Sequence, residues 1–64
     1  MKDPVRAREL DARIRAIREN IRELVEQAAA TSGAADESLI SDRIANLEAQ
    51  LAAMVKEREA LEGP

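Results

Sequence analysis

Four arginines in the first half of the chain are spaced so that they could bind phosphate groups. Three of them recur every seven residues and the fourth stands beside them; they are Arg8, Arg15, Arg18 and Arg22. On a helix, residues seven apart share one face and lie about 10.5 Å apart along the axis. Guanidinium groups form forked hydrogen bonds with phosphate oxygens. This arginine stripe is therefore a candidate nucleic-acid contact.

The same arginines have an alternative role as partners of acidic side chains within the fold. Residues four apart on a helix can form ion pairs. The net charge is −3 and aromatic residues are absent, whereas domains that bind nucleic acid usually carry a clear basic excess. We therefore expect the arginines to serve the fold. The expected pairs are Asp11–Arg15, Arg15–Glu19, Arg22–Glu26 and, between the two halves of the chain, Arg18–Glu48 and Arg13–Glu57.

The composition argues against catalysis and against a metal site. The sequence contains no histidine and no cysteine, which removes the commonest general base and the commonest metal ligands. The adjacent acids Asp36 and Glu37 could hold a cation, but acidic residues at this point are explained by capping of the next helix and by its dipole. We expect no catalytic residue, no metal and no cofactor, and therefore not an enzyme.

The elements that position these residues follow from the apolar spacing. Large apolar residues in the first half recur at alternating intervals of four and three, which is the heptad pattern of a coiled-coil helix. Asp3 and Pro4 form a start signal, because Asp caps free amides and proline is tolerated at the first helical position. The first helix is predicted over about 4–30, and its line of contact residues is Ala7, Leu10, Ile14, Ile17, Ile21, Leu24 and Ala28.

The second half repeats the pattern with its phase shifted by two residues. Coiled coils absorb shifts of three or four residues but not of two, so the chain is predicted to turn over about 31–36. Gly33 suits a helix C-cap, and Asp36 or Ser38 suits the next N-cap. A second helix is predicted over about 37–62, with contact residues Ile40, Ile44, Leu47, Leu51, Met54, Arg58 and Leu61.

An antiparallel hairpin places each contact residue of the first helix opposite one of the second. We therefore predict an all-α, coiled-coil type, antiparallel two-helix hairpin, with residues 1–64 as a single domain. Arg58 is the one charged residue on the contact line. Near a helix end it is expected to lay its aliphatic stem over Leu10 and to keep its charged group in water.

The second helix has a surface that the hairpin does not explain. The sequence has few large apolar side chains for a stable monomer, and residues 44–55 contain one charge, on Glu48. We expect a partner to cover this surface, most simply a second hairpin that completes a four-helix bundle. The alternative is that alanine serves only as a good helix former. The predicted oligomer interface is Ala45, Ala49, Ala52, Ala53, Val55 and Val25.

The architecture resembles that of the Rop family of plasmid copy-number regulators. The resemblance covers the whole chain and rests on its length, its heptads and the position of its loop. It implies an antiparallel dimer that forms a four-helix bundle and binds paired RNA loops. No functional residue is transferred by it.

Together these observations predict a non-enzymatic, self-associating helical hairpin that acts through protein–protein contacts as a regulator, adaptor or assembly subunit. We expect a homodimer first and a tetramer second, with a protein partner rather than nucleic acid. A Rop-like nucleic-acid-binding regulator is the alternative. No stretch approaches the ~20 apolar residues of a membrane span, so we expect a cytoplasmic protein and no membrane partner. A third alternative is a designed or shortened sequence, because Gly63-Pro64 is equally compatible with a cloning remnant and a helix stop.

Overall fold

Two helices that fold back on each other make up the structure. A computed structural model describes residues 3–30 and 37–62, and only the backbone of Glu37. Helix α1 spans Pro4–Ala30 and helix α2 spans Glu37–Glu62, and the two pack against each other. The longest dimension is 49 Å, whereas both helices in one rod would extend about 80 Å. The prediction of an all-α two-helix hairpin is confirmed.

Helix α1 begins with the capping interaction that the sequence indicates. The amide of Arg6 donates a hydrogen bond to Asp3 Oδ1 at 3.1 Å, and the amide of Ala7 donates to the carbonyl oxygen of Asp3 at 2.9 Å. Pro4 is the first helical residue, where its missing N–H leaves no intrahelical bond unmade. The bond from Arg6 satisfies an amide that the first turn of a helix leaves free, whereas the bond from Ala7 is the first intrahelical bond, which the carbonyl group of the capping residue accepts.

Several sequence predictions lie outside the described residues. They are the turn at 31–36 with the Gly33 cap, the Asp36 cap, the acidic pair at 36–37 and the terminal Gly63-Pro64. The alternative cap, Ser38, is wrong, because α2 already includes Glu37 and a capping residue stands before the first helical residue.

The heptad positions form the line of contact between the helices, which we call the seam. Three seam residues are buried: Leu10, Ile14 and Ile17. The other seam residues are half-buried, whereas most of their neighbours are exposed; the half-buried set is Ala7, Ile21, Leu24, Ala28, Ile40, Ile44, Leu47, Leu51, Met54, Arg58 and Leu61. The predicted contact residues are therefore confirmed, but a single hairpin covers few of them fully.

The hairpin exposes more surface than a compact chain of its mass. Its accessible area is 4994 Å², whereas a folded monomer of 7.0 kDa is expected to expose about 4000 Å². Its radius of gyration is 14.8 Å, against about 11 Å for a compact domain of 64 residues. Two helices have no second layer to cover the sides of their seam.

Candidate interaction surface

Arg58 connects the two helices at the open end of the hairpin, away from the turn. Its Nε donates a hydrogen bond to Asp11 Oδ1 at 2.9 Å, and its Nη1 lies 2.9 Å from Glu62 Oε1. The hydrogen bond to Asp11 is the largest cause that raises the pKa of Arg58 above its ordinary value, and partial desolvation opposes it. The charged group stays at the surface, as expected, but it also pairs with two carboxylates that the sequence analysis did not assign to it.

Arg6 makes a second connection between the helices at the same end. Its Nε donates to Glu57 Oε2 at 2.9 Å, its Nη2 lies 2.8 Å from the same oxygen, and Glu9 is 4.0 Å away. The hydrogen bond with Glu57 is the largest cause that raises the pKa of Arg6. The expected pair Arg13–Glu57 is thus corrected to Arg6–Glu57.

These ion pairs fix the ends of the helices against each other around the best-buried side chain. Leu10 is only 1% exposed. Arg6 and Asp11, which precede and follow Leu10 on α1, form ion pairs with Glu57 and Arg58 of α2. Ion pairs at a surface contribute little net stability and weaken with salt. We conclude that they select the antiparallel register, while the burial of Leu10 provides the stability.

The arginine stripe is exposed and does not form the ion pairs that the sequence suggested. All four of its residues are exposed. Among the described residues, the ion pairs involve Arg6 and Arg58, and Asp11 pairs with Arg58 rather than with Arg15. The gain from an exposed pair is similar to the cost of ordering two long side chains. A shallow groove along α1 is lined by Asp11, Ile14, Arg15, Arg18, Glu19 and Arg22.

The hairpin has two broad faces of different chemistry. One groove joins Arg8 and Asp11 of α1 to Arg58 and Glu62 of α2, so these residues share one face. Heptad spacing extends that face along both helices, and we call it the Arg–Ala face. Its members are Arg8, Asp11, Arg15, Arg18, Arg22 and Val25 of α1 with Ala45, Glu48, Ala52, Val55, Glu59 and Glu62 of α2.

The opposite face, which we call the polar face, is rich in side-chain amides. A groove on it brings together residues of both helices: Asn20, Glu23, Gln27, Arg43, Asn46 and Gln50. Such groups are well solvated, and the large apolar residues that line this groove, Leu24 and Leu47, belong to the seam. The polar face is therefore suited to contact with water.

The predicted interface residues are divided between these surfaces. The four alanines Ala45, Ala49, Ala52 and Ala53 are exposed, Val25 is 50% exposed and Val55 is half-buried. By heptad position, Ala49 lies at the outer edge of α2, and Ala53 lies on the side of the polar face. The Arg–Ala face thus brings together four members of the predicted interface.

Sequence reasoning missed two exposed apolar side chains. Val5 is 69% exposed and Leu39 is 67% exposed, and Leu39 lines a small groove beside Gln27 and Arg43. Both residues stand off the seam in the heptad pattern, which is the signal that could have identified them. Isolated apolar residues at a surface are common, so neither defines a patch.

The described part of the chain holds no group of three or more acidic residues placed to bind a metal ion. Within that same part, neither helix has an apolar stretch of the length needed to cross a lipid bilayer. Comparisons with protein-family models, with curated proteins and with solved structures each find no match.

Proposed function

We propose that this chain is a non-enzymatic helical hairpin that self-associates and acts through protein–protein contacts, as a regulator, adaptor or assembly subunit. The observation that carries the proposal is the accessible surface of 4994 Å². It exceeds the expected value for this mass by about 1000 Å². A stable protein interface covers about 800 Å² on each partner, so the excess area is large enough for one interface of ordinary size.

The incomplete burial of the seam supports the same proposal. Of the described side chains, three are buried, and all three belong to α1. Every seam residue of α2 keeps an exposed side, and the flanking alanines Ala45 and Ala52 are too small to cover it. A second hairpin packed on this side would form a four-helix bundle. We propose a homodimer first and a tetramer second.

Self-association predicts that thermal unfolding depends on protein concentration. Because the dimer unfolds to separate chains, a hundredfold increase in concentration should raise the melting temperature by about 10 °C. The measurement is circular dichroism at 222 nm, the helix band, over that range of concentration. A melting temperature that stays constant would contradict the proposal.

A nucleic-acid-binding regulator of the Rop type is the second candidate. It is favoured by one observation: the four arginines of the stripe are exposed, and no described carboxylate forms an ion pair with any of them. Guanidinium groups in this state are ready to form hydrogen bonds with phosphates. The net charge of −3 weighs against it.

The salt dependence of RNA binding tests this second candidate. Contact of four arginines with single-stranded RNA would give a slope of about −3 for log K against log salt concentration. The double substitution Arg15→Gln and Arg22→Gln should reduce that slope by about half, whereas Arg13→Gln, outside the stripe, should leave it unchanged. Binding that responds to neither salt nor the double substitution would exclude phosphate recognition by the stripe.

A further inference from the structure

The Arg–Ala face carries opposite charges on its two halves. On α1 the four arginines of the stripe are exposed, and Asp11 is neutralised by its pair with Arg58. On α2 the exposed carboxylates are Glu48 and Glu59, together with Glu62, which pairs with Arg58. Glu19 and Lys56 lie one position farther out on the two helices. The face is therefore basic along α1 and acidic along α2.

Two symmetric arrangements can bring two copies together through this face. A two-fold axis parallel to the helices places α1 of each copy on α2 of the other. A two-fold axis perpendicular to the helices, in the plane of contact, places α1 on α1 and α2 on α2. The first arrangement brings opposite charges together, whereas the second brings four arginines against four arginines. Like charges across an interface are strongly unfavourable.

We infer that a second copy of this chain docks on the Arg–Ala face with the two-fold axis parallel to the helices, so that α1 of each copy lies on α2 of the other. The inference rests on the proposed self-association and adds its geometry. Both turns then lie at the same end of the bundle. The arginine stripe is an interface surface in this arrangement.

The heights of the charged residues along the hairpin agree with this arrangement. Asp11 and Arg58 lie at nearly the same height, because they share a hydrogen bond and a groove farther along the hairpin joins residues 20–27 to residues 43–50, as this register requires. Rotation about a parallel axis leaves heights unchanged. Along α2 toward the turn, Glu48 is ten residues from Arg58. Along α1 of the other copy, Arg18 and Arg22 are seven and eleven residues from Asp11. Glu48 therefore falls between two arginines of the other copy.

The remaining members of the face also meet suitable groups. Counted from the same level toward the open end, Arg8 is three residues away, and Glu59 and Glu62 of the other copy are one and four away. Toward the turn, Val25 and Ala45 stand fourteen and thirteen residues away. The half-exposed Val25 thus meets a small residue that permits close approach. Charge pairs lie at both levels where carboxylates occur, and an apolar contact lies near the turn.

Disulfide trapping tests the geometry, because the sequence contains no cysteine and each variant then carries one thiol. Chains with Val25→Cys are mixed with chains with Ala45→Cys in a glutathione buffer, and the mixed disulfide dimer is measured by mass spectrometry. Chains with Ala45→Cys mixed with chains with Val55→Cys form the matched control. Circular dichroism under reducing conditions verifies that every variant keeps its helices.

The parallel axis predicts a high yield for the first mixture and little for the second. In this arrangement Ala45 of one copy faces Val25 of the other, while Ala45 and Val55 are ten residues, or about 15 Å, apart in height, beyond the reach of a disulfide. The perpendicular axis reverses the heights, brings Ala45 of one copy near Val55 of the other and predicts the opposite result. A high yield from the second mixture alone would overturn the inference.

The other outcomes separate this inference from the proposed function. If neither mixture is trapped while the solution mass remains that of a dimer, the copies meet elsewhere, and the inference is overturned while self-association stands. A monomeric mass overturns both. If neither mixture is trapped and the chain binds bulk RNA with a steep salt dependence, the Arg–Ala face is a nucleic-acid surface and the inference is overturned.

Discussion

Replacing Ala52 by arginine is expected to separate the dimer into monomers. Ala52 is exposed in the hairpin and lies in the middle of the Arg–Ala face. Within a dimer, the new guanidinium group would lose water and face the arginine stripe of the partner. Each such substitution costs about 1–3 kcal/mol, and a dimer contains two copies of it. Analytical ultracentrifugation should show a dissociation constant raised roughly thirtyfold or more.

Two matched variants identify the cause of that effect. Ala16→Arg adds the same group to an exposed alanine of α1 on the side of the polar face, and we expect the dimer to persist. Ala52→Glu adds bulk at the same site but with the charge that arginines attract, so it should weaken the dimer less than Ala52→Arg. Dissociation by Ala16→Arg with an intact Ala52→Arg dimer would show that the interface lies on the other face.

Replacing Leu10 by alanine is expected to remove most of the stability of the hairpin. Leu10 is 1% exposed, and truncation of a leucine this well buried costs about 2–5 kcal/mol. A helical core of this size supplies only about 3–5 kcal/mol in total. Urea denaturation followed by circular dichroism should therefore show a largely unfolded chain in low urea.

Val5→Ala is the control for Leu10→Ala, because it removes apolar atoms from the same helix end without removing buried contacts. Val5 is 69% exposed, and we expect a change in stability within about 0.5 kcal/mol. If Leu10→Ala unfolds at the same urea concentration as the unmodified chain, the core does not lie at the open end of the hairpin.

The sequence was sufficient to predict the hairpin and its seam. The alternating spacing of residues such as Leu10, Ile14 and Ile17 identifies one face of a helix, because only a repeat of seven keeps them aligned. The two-residue change of phase after Ala30 excludes a continuous rod. Both features depend on helix geometry and on the burial of apolar side chains. These contributions to the free energy of folding are large enough to determine the hairpin and its seam.

The partners of the charged side chains could not be predicted in the same way. Arg6 and Arg13 occupy the same heptad position seven residues apart, and either could approach Glu57. The free energy that separates such choices at a surface is small, so the sequence pattern does not select between them. The same reason applies to Asp11, which pairs with Arg58 across the hairpin rather than with Arg15 on its own helix.

The grouping of residues into two faces also required the structure. The sequence analysis assigned Ala53 and Ala45 to one interface. In the structure, Asn46 lies in the amide-rich groove, and Ala53 follows it by one heptad. The charge contrast across the Arg–Ala face becomes visible only once Arg8 and Glu62 are found in one groove.

Self-association, as proposed, means that a second copy of the chain covers the sides of the seam that one hairpin leaves exposed. The direct measurement is multi-angle light scattering at tens of micromolar, with helical content recorded on the same samples through a dilution series. We expect a particle of twice the 7.0 kDa chain mass, with mass and helical content falling together on dilution. A 7.0 kDa particle that stays fully helical and melts cooperatively at every concentration would contradict it.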